Sequence, residues 1–189
     1  MIDQSSFGNM PDGELVEQFC LTNNHNVSVE ILNLGGIIRR WLIPKDKSNR
    51  IDIVLGFDTV DEYLSDDSYL GALIGRYSNR INNGKFSLAD IEYQTDINLG
   101  DNCLHGGNKG FNSKVWQSTV LSRGDNPSIM LQLSSPNFDQ GFPGTLSVKV
   151  IYTLTEQNAL KIEYFATTKQ TTLYNPTNHS YFNLSGHNS

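Results

Sequence analysis

The sequence predicts an all-β protein, and three observations carry that prediction. Apolar residues alternate with polar ones in segment after segment; Gly, Pro, Asn and Asp punctuate those segments; and helical spacing is nearly absent from the 189 residues. Many short strands at close intervals with little helix make an antiparallel sandwich or barrel.

Each element follows from a local pattern. Residues 27–32, 37–43 and 51–57 are apolar-rich runs divided by Gly35-Gly36 and Pro44, and predict strands. One helical turn is predicted over 60–64, where Thr59 is placed to cap and Asp61 and Glu62 suit the positive helix end. Phe86 to Leu88 and Ile91 to Tyr93 predict a tight hairpin across Ala89-Asp90. The polar stretch 98–113 predicts a loop, the part of a β protein that most often carries function. Residues 115–122 and 128–134 predict a strand pair around the turn at 123–127. Leu146, Val148, Val150, Tyr152 and Leu154 share one face, with Ser147, Lys149 and Thr153 on the other. Leu160, Ile162, Tyr164 and Ala166 repeat that pattern beyond Glu156-Gln157-Asn158, so 145–168 predicts a hairpin. No repeat, low-complexity tract or linker interrupts the chain, which predicts one domain over 1–189.

Composition narrows the function. A chain with 38% hydrophobic and 18% charged residues is globular. A net charge of −6 argues against a nucleic-acid partner, which calls for a basic face. Cys20 and Cys103 lie far apart without metal-ligand spacing, which predicts no metal site and a reduced, cytoplasmic setting. The first twenty residues lack the basic start and apolar run of a signal peptide, and no stretch is long enough to span a bilayer. The sequons at Asn26, Asn178 and Asn183 are therefore read as chance matches.

Three constellations bear chemistry. In Asn175-Pro176-Thr177-Asn178-His179-Ser180-Tyr181-Phe182-Asn183-Leu184 a histidine sits among amides, hydroxyls and aromatics, a set suited to a neutral, hydroxyl-rich ligand with proton transfer near neutral pH. The alternative is a packed histidine with aromatic neighbours. Ser180 directly beside His179 is badly placed for serine catalysis, since neighbours on a strand face opposite ways. In Gly71 to Ile81 the two glycines lack the Lys-Ser/Thr pair of a phosphate loop. Asn79-Arg80 remains there, an amide beside a guanidinium that forks onto hydroxyls, or else a structural ion pair. In Asn102-Cys103-Leu104-His105-Gly106-Gly107 the two glycines let backbone approach a ligand, and His105 has no metal-ligating neighbour at suitable spacing. A loop histidine with one local hydrogen bond is the alternative. His25 and His187 read as solvated.

Together these segments resemble the aldose 1-epimerase (galactose mutarotase) family. Residues 175–184 match its signature Asn-x-Thr-Asn-His-x-Tyr-Phe-Asn-Leu at every fixed position. Arg76 with Asn79-Arg80-Ile81 is similar to its Gly-Arg-x-x-Asn-Arg-Ile segment, and Asn102 with Leu104-His105-Gly106-Gly107 to its Asn-x-Leu-His-Gly-Gly loop. Gly110-Phe111, Trp116 and Phe142-Pro143-Gly144 follow in family order, and the match runs from about Gly8 to Ser189.

The resemblance implies a large antiparallel β-sandwich of the mutarotase type, truncated on its C-terminal side, and a cofactor-free reaction on a small sugar. A base takes the anomeric hydroxyl proton while an acid protonates the ring oxygen; the ring opens, rotates about C1–C2 and recloses. It casts His179 as the acid, His105 as its partner near the ring oxygen, Asn79 and Arg80 as hydroxyl holders, and Ser180 and Tyr181 as pocket lining. Family members also carry a glutamate base and a substrate-binding aspartate beyond the signature. This sequence ends five residues after Leu184, so it is expected to cover the first half of a member and to lack turnover by itself. A sugar-binding module without turnover and a fragment that does not fold remain the competing readings. A hexose-phosphate epimerase would want more arginines than Arg76 and Arg80 near the site.

Overall fold

The N-terminal strands pair in chain order as an antiparallel meander: β1 (Ile2–Asn9), β2 (Leu15–Thr22), β3 (Ser28–Leu32), β4 (Ile38–Pro44) and β5 (Arg50–Asp52). The computed structural model describes residues 1–187, so Ser189, where the family match is expected to end, lies outside them. β1 and β2 were not predicted. Most β1 side chains face solvent, and its ladder to β2 slips between Ser6 and Gly8, so no period-two signal survives in its sequence. The strand expected over 51–57 ends early. The Asp52 carboxylate accepts from the Trp41 and Val54 amides at 3.0 and 3.3 Å, replacing a ladder carbonyl and turning the chain out of the sheet.

The expected helical turn is α1 (Val60–Ser65). Thr59 Oγ1 accepts from the Glu62 amide at 3.3 Å, while the Glu62 carboxylate accepts from the Asp58 amide and the Thr59 hydroxyl. Then come five short strands: β6 (Leu73–Ile74), β7 (Arg80–Ile81), β8 (Lys85–Leu88), β9 (Ile91–Gln94) and β10 (Cys103–Leu104). β8 and β9 form the expected tight hairpin, turning at Ala89 with φ of 50°. A second meander, β11 (Gln117–Ser122), β12 (Ser128–Ser135), β13 (Leu146–Leu154) and β14 (Leu160–Thr168), matches the two predicted pairs, and β15 (Thr177–Asn178) closes the series.

The two meanders form a sandwich. One buried cluster joins Phe19, Val29 and Ile31 of the first sheet to Leu131, Val148 and Val150 of the second. Tyr152, fully buried among them, donates its hydroxyl to the Gly36 carbonyl at 2.7 Å. β14 is the outer strand of its sheet, and its Phe165 is 51% exposed. No helix among the described residues is long and apolar enough to cross a membrane.

Two ladders of only two residues each position the site. β15 pairs with β6 through Thr177↔Ile74 and Asn178↔Leu73, and β10 pairs with β7 through Cys103↔Ile81 and Leu104↔Arg80.

Candidate functional site

Where those ladders end, an open cleft of about 580 Å³ is lined by Asn79, Arg80, His105, His179, Ser180 and Tyr181, with Ser78, Thr177 and Asn178 beside them. The six residues to which the resemblance gives roles all lie on this one surface.

Asn79 and His105 face each other across the end of the β7–β10 ladder. The Asn79 amide donates to His105 Nδ1 at 3.0 Å, and the His105 amide donates to the Asn79 carbonyl at 3.1 Å. With Nδ1 occupied as an acceptor, the neutral ring carries its hydrogen on Nε2. Both residues adopt left-handed backbone, φ of 64° and 54°, a conformation asparagine tolerates better than most. The glycines after His105 are needed for packing within the protein. A Cβ on Gly106 would stand 1.9 Å from the Gly75 carbonyl oxygen, so this glycine packs the loop against β6's continuation.

The His105 pKa falls to about 4, through burial first and then the charges of His179 and Arg80. Between about pH 4 and 6.5 the unfolded chain therefore binds more protons at this position than the folded one. Stability from this group is present above 6.5 and is lost as pH falls towards 4. We expect one imidazole in an NMR titration to have its midpoint near 4, well below an ordinary histidine. A His105 midpoint near 6.5 would contradict this account.

His179 is fixed through its backbone. Its amide donates to the Ala72 carbonyl at 2.8 Å and its carbonyl accepts from the Gly71 amide at 3.2 Å. The preceding Asn178 donates Nδ2 to the Gly71 carbonyl at 3.0 Å and accepts the Ser180 amide at 3.0 Å, which closes the turn into the cleft. The His179 ring stands 5.1 Å from that of His105 at 79°, and 5.2 Å from that of Tyr181. Ser180 lines the cleft, but its hydroxyl oxygen is buried with no hydrogen-bond partner among the described residues, so it does not present itself to a ligand in this structure.

Arg80 Nη1 donates to Asn79 Oδ1 at 3.1 Å, which sets amide and guanidinium side by side as a fork. No carboxylate among the described residues pairs with Arg80, so the structural ion pair weighed above does not form there. Arg76 departs from expectation. It is 2% exposed and donates to the carbonyls of Ser135, Pro136 and Pro143 and to the hydroxyls of Ser135 and Thr172. It braces loops beneath the site, so among the described residues Arg80 supplies the one guanidinium that lines the cleft. His187 also departs from expectation: half-buried, it donates Nδ1–H to the Val54 carbonyl at 3.0 Å. Among the described residues no carboxylate lines the cleft, and no cluster of three or more His, Cys, Asp or Glu is arranged to hold a metal ion.

Tyr69 went unnoticed in the sequence. Its ring lies 4.8 Å from that of His105 and 5.9 Å from that of His179. Only the three-dimensional turn brings it there, and no spacing along the chain announces it.

Known proteins share this arrangement of chain. A family model described as aldose 1-epimerase matches residues 17–189. The galactose mutarotase of Bos taurus is 43% identical over 189 residues, 100% of this chain and 54% of its own length. The aldose 1-epimerase of Haemophilus influenzae is 39% identical over 97% of this chain and 52% of its own. Among solved structures, a galactose 1-epimerase from Lactobacillus acidophilus superposes with a TM-score of 0.88 at 25% identity, covering 97% of this chain and 53% of that one. An aldose epimerase homologue from C. elegans gives 0.80 at 32% identity, over 88% and 50%. The chain thus spans about half the length of the relatives it matches. With sandwich, signature and family model in agreement over nearly its whole length, this chain belongs to the aldose 1-epimerase family.

Proposed function

We propose that the cleft binds a free hexose of the galactose or glucose type and supplies the acid side of anomer interconversion. The observation that carries this reading is the pair of imidazoles 5.1 Å apart beside the Asn79–Arg80 fork in one open cleft. The two histidines divide the work. His105, neutral far below physiological pH, donates Nε2–H as a fixed hydrogen bond near the ring oxygen and is no proton source at pH 7. His179 delivers the proton: as the C1–O5 bond breaks, the ring oxygen takes it, and the anomeric hydroxyl must lose its own to a base. The open aldehyde turns about C1–C2 and the ring recloses on the other face. Asn79 and Arg80 hold vicinal hydroxyls, Ser180 lines the pocket, and Tyr181 covers a sugar face. The free thiols of Cys20 and Cys103 fit a reducing, cytoplasmic setting.

With no carboxylate among the described residues at the cleft, these 189 residues are expected to bind sugar without accelerating mutarotation. An unpaired acid in an open site adds little to the catalysis that water and buffer already supply. Two measurements on the purified chain decide this. Galactose should perturb the NMR signals of both site imidazoles, and the optical rotation of fresh α-D-galactose should relax at the buffer rate. Enzyme-dependent relaxation that vanishes in His179→Ala would show that a base is present after all. Tighter binding of galactose phosphate than of galactose would favour the sugar-phosphate reading, against which the single cleft guanidinium speaks.

Arg80→Lys is expected to weaken sugar binding although charge is conserved. A lysine cannot keep the planar fork, and loss of a charge-assisted hydrogen bond costs about 1.5–3 kcal/mol, roughly ten- to a hundredfold in affinity. Unchanged affinity by calorimetry would remove Arg80 from the site.

A further inference from the structure

Tyr69 sits in the turn between α1 and β6, and its backbone is in an unfavourable place for its side chain. Its φ is 60°, left-handed, where a bulky aromatic is a true outlier. Such conformations persist when their surroundings over-determine them. The turn itself is built by other groups. Asp66 accepts from the Ser68 amide at 3.0 Å, the Ser68 hydroxyl at 2.5 Å and the Leu70 amide at 3.3 Å. The Tyr69 carbonyl accepts from the Ala72 amide at 3.2 Å, and Gly71 ties the turn to the His179 backbone. Asparagine or glycine would satisfy all of this with less strain. The reason for a tyrosine must lie in its ring.

That ring meets His105 edge-to-face, at 4.8 Å and 75°, and meets His179 at 5.9 Å and 47°. The two imidazoles are themselves perpendicular at 79°, so the three rings brace one another. Half-buried Tyr69 is not part of the cleft lining and packs its ring against both imidazoles. We propose that Tyr69 is a positioning residue, whose ring fixes the mutual orientation of the His105 and His179 imidazoles and keeps water from their rear side. Its consequence for sugar chemistry rests on the acid–base reading above; its geometric content does not.

The charged and titratable surroundings support the assignment. His105 faces His179, Arg80 and the phenol of Tyr69. Burial, with Asp67, Cys103 and Asp66, raises the phenol pKa, so the ring stays neutral and excludes water without adding a charge. Burial is also the first cause of the low His105 pKa, so taking the ring away should release that histidine.

The test uses the 189-residue chain labelled with 13C-histidine and three variants, with imidazole titrations followed by NMR. Tyr69→Phe keeps the ring and should leave both histidines as in the parent. Tyr69→Asn keeps the left-handed turn and removes the ring. It should raise the His105 midpoint by about one unit or more towards its ordinary value of about 6.5, and shift the His179 ring signals as the ring current disappears. A folded Tyr69→Asn protein with both histidines unchanged would overturn the proposal. Tyr69→Gly asks the same question should the asparagine variant fail to fold. If both unfold, the ring is a core residue and the positioning role is equally overturned. No sugar enters this readout, so a failure of galactose to perturb the site imidazoles would count against the acid–base reading alone.

Discussion

His179→Gln should lower hexose mutarotation by about a hundredfold to ten-thousandfold in a protein carrying the full length of its relatives, while sugar binding changes little. Glutamine keeps a hydrogen-bonding side chain of similar reach and loses the transferable proton. The His179 backbone is held by Ala72 and Gly71, neither of which touches its side chain through those bonds, so the variant should fold as the parent does. The loss should therefore appear in kcat, with KM nearly constant. His105 cannot substitute, because a group with a pKa of about 4 is unprotonated throughout the working pH range. Polarimetry on freshly dissolved α-D-galactose and α-D-glucose measures the effect. A variant within a few-fold of the parent would take His179 out of the mechanism.

Arg76→Met should produce the largest loss of stability among the polar substitutions discussed. Five acceptor atoms on three separate chain segments lose their donor at once: the carbonyls of Ser135, Pro136 and Pro143 and the hydroxyls of Ser135 and Thr172. Ser135 retains its bond to Asp139, and local relaxation will rescue part of the rest. Each buried acceptor left unpaired costs about 1–3 kcal/mol, so a net loss on the order of 3–5 kcal/mol is expected. Against a typical total stability of about 5–15 kcal/mol, that is a large share. For a chain of this size it corresponds to a drop in Tm of roughly 10 °C or more. Arg76→Lys, which keeps one charged donor group and loses the planar reach, should fall between the two. Calorimetric melting of the three proteins checks the order, and a methionine variant within 1 kcal/mol of the parent would contradict the bracing role.

What the sequence revealed depended on whether a signal was local. The β13–β14 hairpin was legible because Leu146 to Leu154 alternates without a break, and each inward residue is buried. The helix start was legible because Thr59 is a capping residue followed by the acidic Asp61 and Glu62. β1 was not, because an outer strand with exposed side chains is held by its backbone ladder, which any sequence can make. The site behaved likewise. His105, His179 and the Asn79-Arg80 pair stood out through motifs, yet the burial of Arg76 depends on loops 59 and 67 residues away along the chain. Tyr69 was invisible because its relevance comes from a left-handed turn and two rings from other segments.

The two-residue ladders have a consequence for how the integrity of this protein should be judged. Each large sheet joins strands that follow one another directly, so its contacts close short loops and form together. The imidazole of His179 hangs on bonds that reach back about a hundred residues, from Asn178 to Gly71 across 107 positions and from His179 to Ala72. These bonds, with those joining Asn175 to Arg76 and Ser78 and Tyr181 to Leu55, lie outside both large sheets and can open while the sheets remain intact. A melting curve or a circular dichroism spectrum reads the sheets and would look native with the cleft end undone. Amide hydrogen exchange at Gly71 and His179 reads the site instead, and it separates a folded protein from a competent one.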